Sequence, residues 1–430
     1  MADATQPKML SARQAAFIGV GAMVGAGIFA LLGAAGEVAG AAVWISFVLA
    51  GIVAALQGYS FAKLGARYPS AGGFVEYLVR GYGNGNVTGV CAWLLFMVNA
   101  IITAMVAVSF GSYASAAVDD GDTRWTKPFA ILVIVVMALL NLLGSHAVAR
   151  AQTVVVIVVI TILTVFAVAT IANMNPDLLA FSGYPSLRDI VSSVALTFFA
   201  FLGFGVITFT AKDLANPARQ LPRAIGLALG IATVIYVAVA LGVFGVLQVS
   251  EVIESGGTAL AVAAEPILGP AGYWMMSVTG LFATAGATNS GLYPAAGLCE
   301  EMAGIGQFPR ALGRRLGNRV PVGLLLTAAA AIVLAVGLDL SAIAAIGSAV
   351  ALIVFALVTV GHLRIRSETG ARVWVLALAI LTTVTVLLTF ALTTLVEEPA
   401  TAVTLAVILL LSVVLNLAWK RHSATQQPVN

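Results

Sequence analysis

Apolar runs of bilayer-spanning length, each closed by proline, glycine or charge, recur along the whole chain. They fall at about 14–36, 41–61, 86–118, 128–146, 151–173, 189–210, 224–248, 271–302, 321–338, 341–362, 372–395 and 400–419, which predicts twelve membrane-crossing helices. Two runs carry glycine where a lipid-embedded helix needs an unbroken ladder of its own hydrogen bonds. In the first, Gly21 to Phe29 reads GAMVGAGIF, and four of the nine residues from Gly19 to Gly27 are glycine. In the sixth, Ile190 to Thr210, Gly203 and Gly205 stand among Phe198, Phe199, Phe201 and Phe204. Broken helices survive in a bilayer only where the freed N–H and C=O groups line a cavity, and breaks at matching places in two halves point to a binding site between repeats. The plainer readings are that the glycines let helices pack closely and that the phenylalanines are core.

The polar positions between runs sort by sign. With both termini on one side, 18 of the 21 Lys and Arg residues fall on that side, and only Arg124, Lys127 and Arg188 on the other. The positive-inside rule makes the first side cytoplasmic. After segment 2, Pro69 and Gly72–Gly73 followed by Phe74, Tyr77 and Leu78 predict a turn and a short interfacial helix. The loop from Val249 to Pro270 predicts another surface helix, and the polar ends Met1–Ala12 and His422–Asn430 are expected to be disordered.

Composition sharpens the class without changing it. The chain is 61% hydrophobic and 9% charged over 430 residues, with a mean hydropathy of +1.05, which defines a polytopic membrane protein. A signal peptide at the N-terminus is set aside because the run from Gln14 to Gly36 is too long for one. Cys91 and Cys299 both lie in apolar segments and indicate neither a disulfide nor a metal site. No His, Asp and Glu cluster stands at membrane depth and no phosphate-binding loop occurs, which argues against an enzyme; no nucleic-acid partner is indicated. A channel would need a continuous polar lining or charge rings that are absent.

Several motifs then occur in order: Gly25-Ala26-Gly27-Ile28-Phe29; Phe61-Ala62-Lys63-Leu64-Gly65 with Tyr68-Pro69-Ser70-Ala71-Gly72-Gly73; the FFAFLGF run from Phe198 to Phe204; Asn216-Pro217-Ala218-Arg219 with Leu221-Pro222-Arg223-Ala224-Ile225; and Asn289 through Ala303, Gly306 and Pro309. Together they resemble the amino acid–polyamine–organocation (APC) transporter family over segments 1 to 10. The resemblance implies an all-α polytopic fold, the five-plus-five inverted repeat of the leucine transporter with two added C-terminal helices and discontinuous helices 1 and 6. The corresponding divisions are a cytoplasmic tail 1–13, a first repeat 14–173, a second repeat 189–362, helices 11 and 12 at 372–419, and a cytoplasmic tail 420–430. It further implies a multi-pass protein of the plasma (cell inner) membrane that binds a small amino acid at the two breaks and moves it by alternating access. On that basis the carboxylate is assigned to Gly25, Ala26 and Gly27, and the amine to carbonyls near Met23, Phe199, Ala200 and Leu202. Ile28, Gly203, Phe204 and Gly205 complete the site, with Phe199 as its gate.

Departures from the family pattern refine the substrate. Many relatives carry an acid where this chain has Gly205, so a dication finds no neutralising partner there. A small neutral amino acid is favoured, with a polyamine or other small amine as the alternative. Val159 stands where some proton-coupled relatives place a lysine. Thr284, Thr288 and Ser290 are then candidate sodium ligands, against the commoner state of hydroxyls bonded to their own helix. Glu300 and Glu301 are candidates for a proton or cation relay, against structural pairing with Arg310, Arg314 or Arg315. No cofactor is implied beyond H+ or Na+ coupling, and the oligomeric state is left open.

Overall fold

A computed structural model describes residues 9–70, 73–118, 123–143, 145–317 and 320–425, excluding the side chains of residues 26, 143, 145–152, 293 and 423–425. His146 and Arg150 therefore lie outside the described side chains, as do residues 1–8 and 426–430 entirely.

The described chain is almost wholly helical. In order the α-helices are α1 (Ala12–Ala26), α2 (Ile28–Ala39), α3 (Val43–Arg67), α4 (Phe74–Tyr82), α5 (Asn86–Val118), α6 (Thr126–Leu143), α7 (Ser145–Ala172), α8 (Leu187–Phe199) and α9 (Phe204–Phe209). There follow α10 (Pro217–Val246), α11 (Val249–Ser255), α12 (Ala259–Gly304), α13 (Val322–Gly337), α14 (Leu340–Arg364), α15 (Arg366–Thr369), α16 (Val373–Leu392), α17 (Thr394–Glu397) and α18 (Pro399–Thr425). A two-residue antiparallel ribbon pairs Arg315 with Pro321 and Leu316 with Val320. Among the described residues, nine helical stretches are long and apolar enough to cross a membrane, and α13 is a shorter apolar helix.

Local chemistry explains where these helices start. Ser11 and Gln14 form a capping box at α1, Ser186 and Asp189 another at α8, Asn216 with Pro217 opens α10, and Asp339 caps α14 through the Ala342 amide. The expected surface helix between Val249 and Pro270 is divided: α11 ends at Gly256, and α12 begins three residues later and bends at Gly269, whose φ of +68° suits glycine. The tails are shorter than expected. The Leu10 amide bonds the Asp213 carbonyl at 2.8 Å, and α18 continues past His422 to Thr425, so backbone pairing orders residues expected to be loose.

Burial places the centre of the molecule. Most of the apolar stretch 187–209 is buried inside the protein, whereas most of 123–142 is not. Outward faces of the peripheral helices show Leu132, Leu139, Val158, Val168, Leu381, Leu388, Val403 and Leu410, which is stable only against lipid. Inside, a buried hydrogen-bond chain ties α3 to α14 and α16. Gln57 Nε2 donates to Thr383 Oγ1 at 2.7 Å, Thr359 Oγ1 donates to Gln57 Oε1 at 2.6 Å, and Ser60 Oγ lies 2.9 Å from His362 Nδ1.

Interhelical loops gather at two ends. At one end Asn84 donates to Ile305 O, Tyr68 to Glu368, Arg364 to Gly81 O and Trp419 to Gly306 O, with the Leu10–Asp213 bond beside them. At the other, Trp44 donates to Tyr184, Lys127 to Val336 O and Arg188 to Leu392 O. Leu10 and Trp419 thus share the first end, which carries Arg67, Arg80, Lys212, Arg310 and Arg315 and is termed the basic end below.

Candidate functional site

The first apolar run is interrupted at one residue. Gly27 (φ −98°, ψ −80°) separates α1 from α2, and α2 starts without a side-chain cap. The opening amides of a helix have no acceptor of their own, so those of Ile28 and Phe29 are the donors at this break. This differs in detail from the assignment to Gly25, Ala26 and Gly27. Gly25 and Ala26 lie within α1, and the Gly27 amide already donates to Met23 O at 2.8 Å. Gly25 serves the plainer purpose, since a Cβ there would lie 2.2 Å from the Ala283 carbonyl of α12. Close packing and a deliberate break are therefore both present, two residues apart.

The second interruption is a tightened stretch. Between α8 and α9 the amides of Ala200, Phe201, Leu202, Phe204 and Gly205 each bond the carbonyl three residues back, at 3.0 to 3.2 Å. Ala200 and Gly203 keep right-handed helical dihedrals, and the Gly203 amide makes no such bond. The carbonyls of Met23, Phe199 and Leu202 each accept one backbone bond, and each keeps a second lone pair. Tyr236 of α10 donates to Ala200 O at 3.0 Å and is fully buried.

The two interruptions face each other. A Cβ on Gly27 would lie 2.5 Å from Ala200 Cβ and 2.8 Å from Tyr236 Oη, and a Cβ on Gly203 would lie 2.5 Å from the Met23 nitrogen. Tyr236 thus sits where both breaks meet. The segment pattern does not single it out, beyond its being the one tyrosine in the apolar run from Ala224 to Gln248. Around the junction, Phe201 and Phe47 lie 5.1 and 5.3 Å from the Tyr236 ring. Phe199 is fully buried, with its ring against Gly347 of α14, while Phe198 points to Phe355 at 6.1 Å.

Space beside the junction is small. A void of about 10 Å³ lies between α1, α7 and α12, lined by Val24, Gly25, Val159, Ala283 and Gly286. Another, of about 30 Å³, lies beside α9 against α4, α5, α12 and α14. One water needs about 10–15 Å³, so a ligand of amino-acid size requires the helices around the junction to part. Val159 of α7 lines the smaller void with Val24 and Gly25 of α1. The void beside it is apolar, and the α12 residues lining it are Ala283 and Gly286. Thr284, Thr288 and Ser290 donate instead to the carbonyls of Gly280, Thr284 and Gly286 on their own helix, at 2.7, 2.9 and 3.1 Å.

The two acids near the end of α12 part company. Glu300 pairs with Arg315 at 2.8 Å, both half-exposed. Glu301 is partly buried and accepts from Ser70 at 3.3 Å. Asn141, in α6, donates to Asn289 of α12 at 2.6 Å, a cross-helix polar tie that the segment pattern did not mark out.

Comparison with known proteins agrees with this architecture. The amino acid permease family profile matches residues 10–426. The inner membrane transport protein YbaT of Escherichia coli is 33% identical over 74% of this chain and 76% of its own length. The vacuolar cationic amino acid transporter 4 of Arabidopsis thaliana is 28% identical over 55% of this chain and 43% of its own. The branched-chain amino acid permease BcaP of Bacillus subtilis is 25% identical over 56% of each. A catalytic reading is excluded in favour of transport, and the chain is a multi-pass membrane transporter belonging to the amino acid permease family of APC-type proteins.

Proposed function

We propose that this chain is a secondary transporter that carries a small neutral amino acid across the cell's inner membrane by alternating access. The carrying observation is the meeting of the two helix interruptions at Gly27 and Ala200–Gly203, with Tyr236 between them. In this reading twelve crossings form two inverted repeats of five plus two added helices, and the basic end is cytoplasmic, as the distribution of Lys and Arg requires. The substrate carboxylate takes the amides of Ile28 and Phe29, aided by Gly203, because a helix N-terminus supplies both donors and a positive dipole end. The ammonium takes the second lone pairs of carbonyls at the other side of the junction, Met23, Phe199, Ala200 and Leu202. Phe199 closes over it, and the bundle of helices 1, 2, 6 and 7 rocks against the remainder.

The lining supports a neutral substrate. Val24, Val159 and Ala283 flank the first break, and Leu202, Val206 and Phe355 flank the second. No carboxylate lines either void to balance a charged side chain. The names of relatives span cationic and branched-chain amino acids, so the lining carries the choice. Counterflow into proteoliposomes tests it, with and without sodium and at two pH values. Saturable exchange of a labelled neutral amino acid is the expected result; linear, non-saturable flux, or exchange of diamines alone, would overturn it.

A further inference from the structure

The short helix α4 is not a membrane crossing, yet its first side chain reaches the centre of the molecule. Gly73, at φ +52°, turns the chain inward, and a Cβ there would lie 3.0 Å from both Phe209 and Thr208. Phe74 follows, only 6% exposed. Its ring lies 4.9 Å from that of Phe61, 5.4 Å from Phe355 and 5.7 Å from Phe209. A Cβ on Gly205 would lie 2.5 Å from Phe74 Cζ. The ring tip thus occupies the space that any side chain at position 205 would claim. Aromatic neighbours on α3, α9 and α14 hold the ring, so it cannot give way cheaply.

Position 205 lies at the start of α9, two residues past Gly203. The same ring lines the void of about 30 Å³ together with Asn99, Leu202, Gly205, Val206 and Phe355. On the basic side of the junction, Phe74 therefore forms the surface on which a ligand's far end would rest. That surface is an apolar ring face, and Asn99, whose amide donates to Leu95 O at 3.0 Å, is the polar member of the lining. An apolar, immovable surface excludes a second charge and limits length.

We propose that Phe74 is the floor of the substrate site and its size- and charge-selecting residue, standing in the place where an acid at position 205 would act. This rests on the helix junction being the substrate site. The floor itself is a matter of packing and can be tested separately. Two consequences follow. Gly205→Asp alone is sterically blocked by Phe74, whereas Gly205→Asp combined with Phe74→Ala has room for its carboxylate. Phe74→Ala alone deepens the site toward Asn99.

Two measurements test the proposal. The first uses Asn99→Cys in a chain whose own Cys91 and Cys299 are buried, labelled from the basic side by a membrane-impermeant thiosulfonate. Labelling should be at least tenfold faster when Phe74→Ala is added. Equal rates would show that Phe74 is no floor, whatever the substrate. The second measures binding of a panel from glycine to leucine, lysine and arginine to purified protein. Phe74→Ala should shift preference at least tenfold toward longer neutral side chains, and the Gly205→Asp/Phe74→Ala pair should gain lysine or arginine binding that neither single variant has. An unchanged order of preference, or a Gly205→Asp variant that folds and binds as well with Phe74 present as without it, overturns the proposal. If no panel member binds the unaltered chain while the labelling rates still differ tenfold, the floor stands and the amino acid reading fails.

Discussion

Replacing Gly27 with valine probes the junction most sharply. The Cβ alone would lie 2.5 Å from Ala200 Cβ, 2.9 Å from Ala200 Cα and 2.8 Å from Tyr236 Oη. Carbon atoms rest about 3.5–4.0 Å apart, so the first methyl already demands about 1 Å of separation, and valine adds two more. Overpacking of this kind costs about 1–3 kcal/mol, and displacing the Tyr236 hydroxyl from Ala200 O costs about 1 kcal/mol more. The branched side chain also projects into the gap that a ligand must use. That strain, about 2–4 kcal/mol in all, falls on the stability of the fold, whereas affinity falls because the side chain fills the gap, with an expected loss of tenfold or more, about 1.4 kcal/mol or more. Equilibrium binding of a labelled amino acid to detergent-purified protein measures it, with size-exclusion chromatography confirming that the variant is folded. Gly323→Val is the matched control: its Cβ would lie 2.7 Å from Cys299 Cβ where α13 packs on α12, outside the junction. It should lower thermal stability and leave the Kd of the folded protein unchanged. A folded Gly27→Val protein that binds within threefold of the unaltered chain would refute the main-chain site.

Phe199→Ala should reduce transport more than Phe198→Ala, because Phe199 faces Gly347 at the junction whereas Phe198 packs toward Phe355; equal losses in proteoliposome uptake would return both rings to ordinary packing. Gln57→Leu removes the bond to Thr383 and the shorter of the two side-chain bonds of Thr359, whose other partner is Ser60 at 3.4 Å, which should cost about 1–3 kcal/mol and lower the unfolding temperature without altering substrate preference. Glu300→Gln removes a half-exposed pair with Arg315 and should cost less than about 1 kcal/mol; a large loss of transport would give Glu300 a relay role instead. The Tyr68 phenol is pushed above its ordinary value by burial and by the Glu368 carboxylate. Its bond between the α3–α4 loop and α15 should therefore hold from neutral pH up to about 10 and be lost as pH rises past the raised value, so Tyr68→Phe should remove an alkaline-side loss of stability seen in a denaturation series.

Much of this was legible in the residues themselves. Gly27 stands out because four glycines crowd one apolar run, and the helix does stop there. The pairing of Glu300 was legible from the basic loop that follows it, and the return of the Thr284, Thr288 and Ser290 hydroxyls to their own carbonyls from the absence of water in a bilayer. What was not legible is mostly long-range. A glycine pattern does not distinguish Gly25, which accommodates a carbonyl of α12, from Gly27, which interrupts a helix, because the difference lies in what packs against each. Tyr236 is 36 residues from the Ala200 carbonyl it meets, and Gln57 is 302 from Thr359, separations at which local periodicity carries no information. Phe74 reads as the apolar face of a surface helix; its depth depends on the turn at Gly73 and on Gly205 having no side chain.

The most direct test of the central claim is an experimental structure with a neutral amino acid at saturating concentration. The account predicts ligand density between Gly27 and Ala200, with the carboxylate about 3 Å from the Ile28 and Phe29 amide nitrogens and Phe199 over it. Density confined elsewhere, such as the cavity of about 640 Å³ lined by Glu254, Glu265 and Trp274, with the two breaks still in contact, would contradict it.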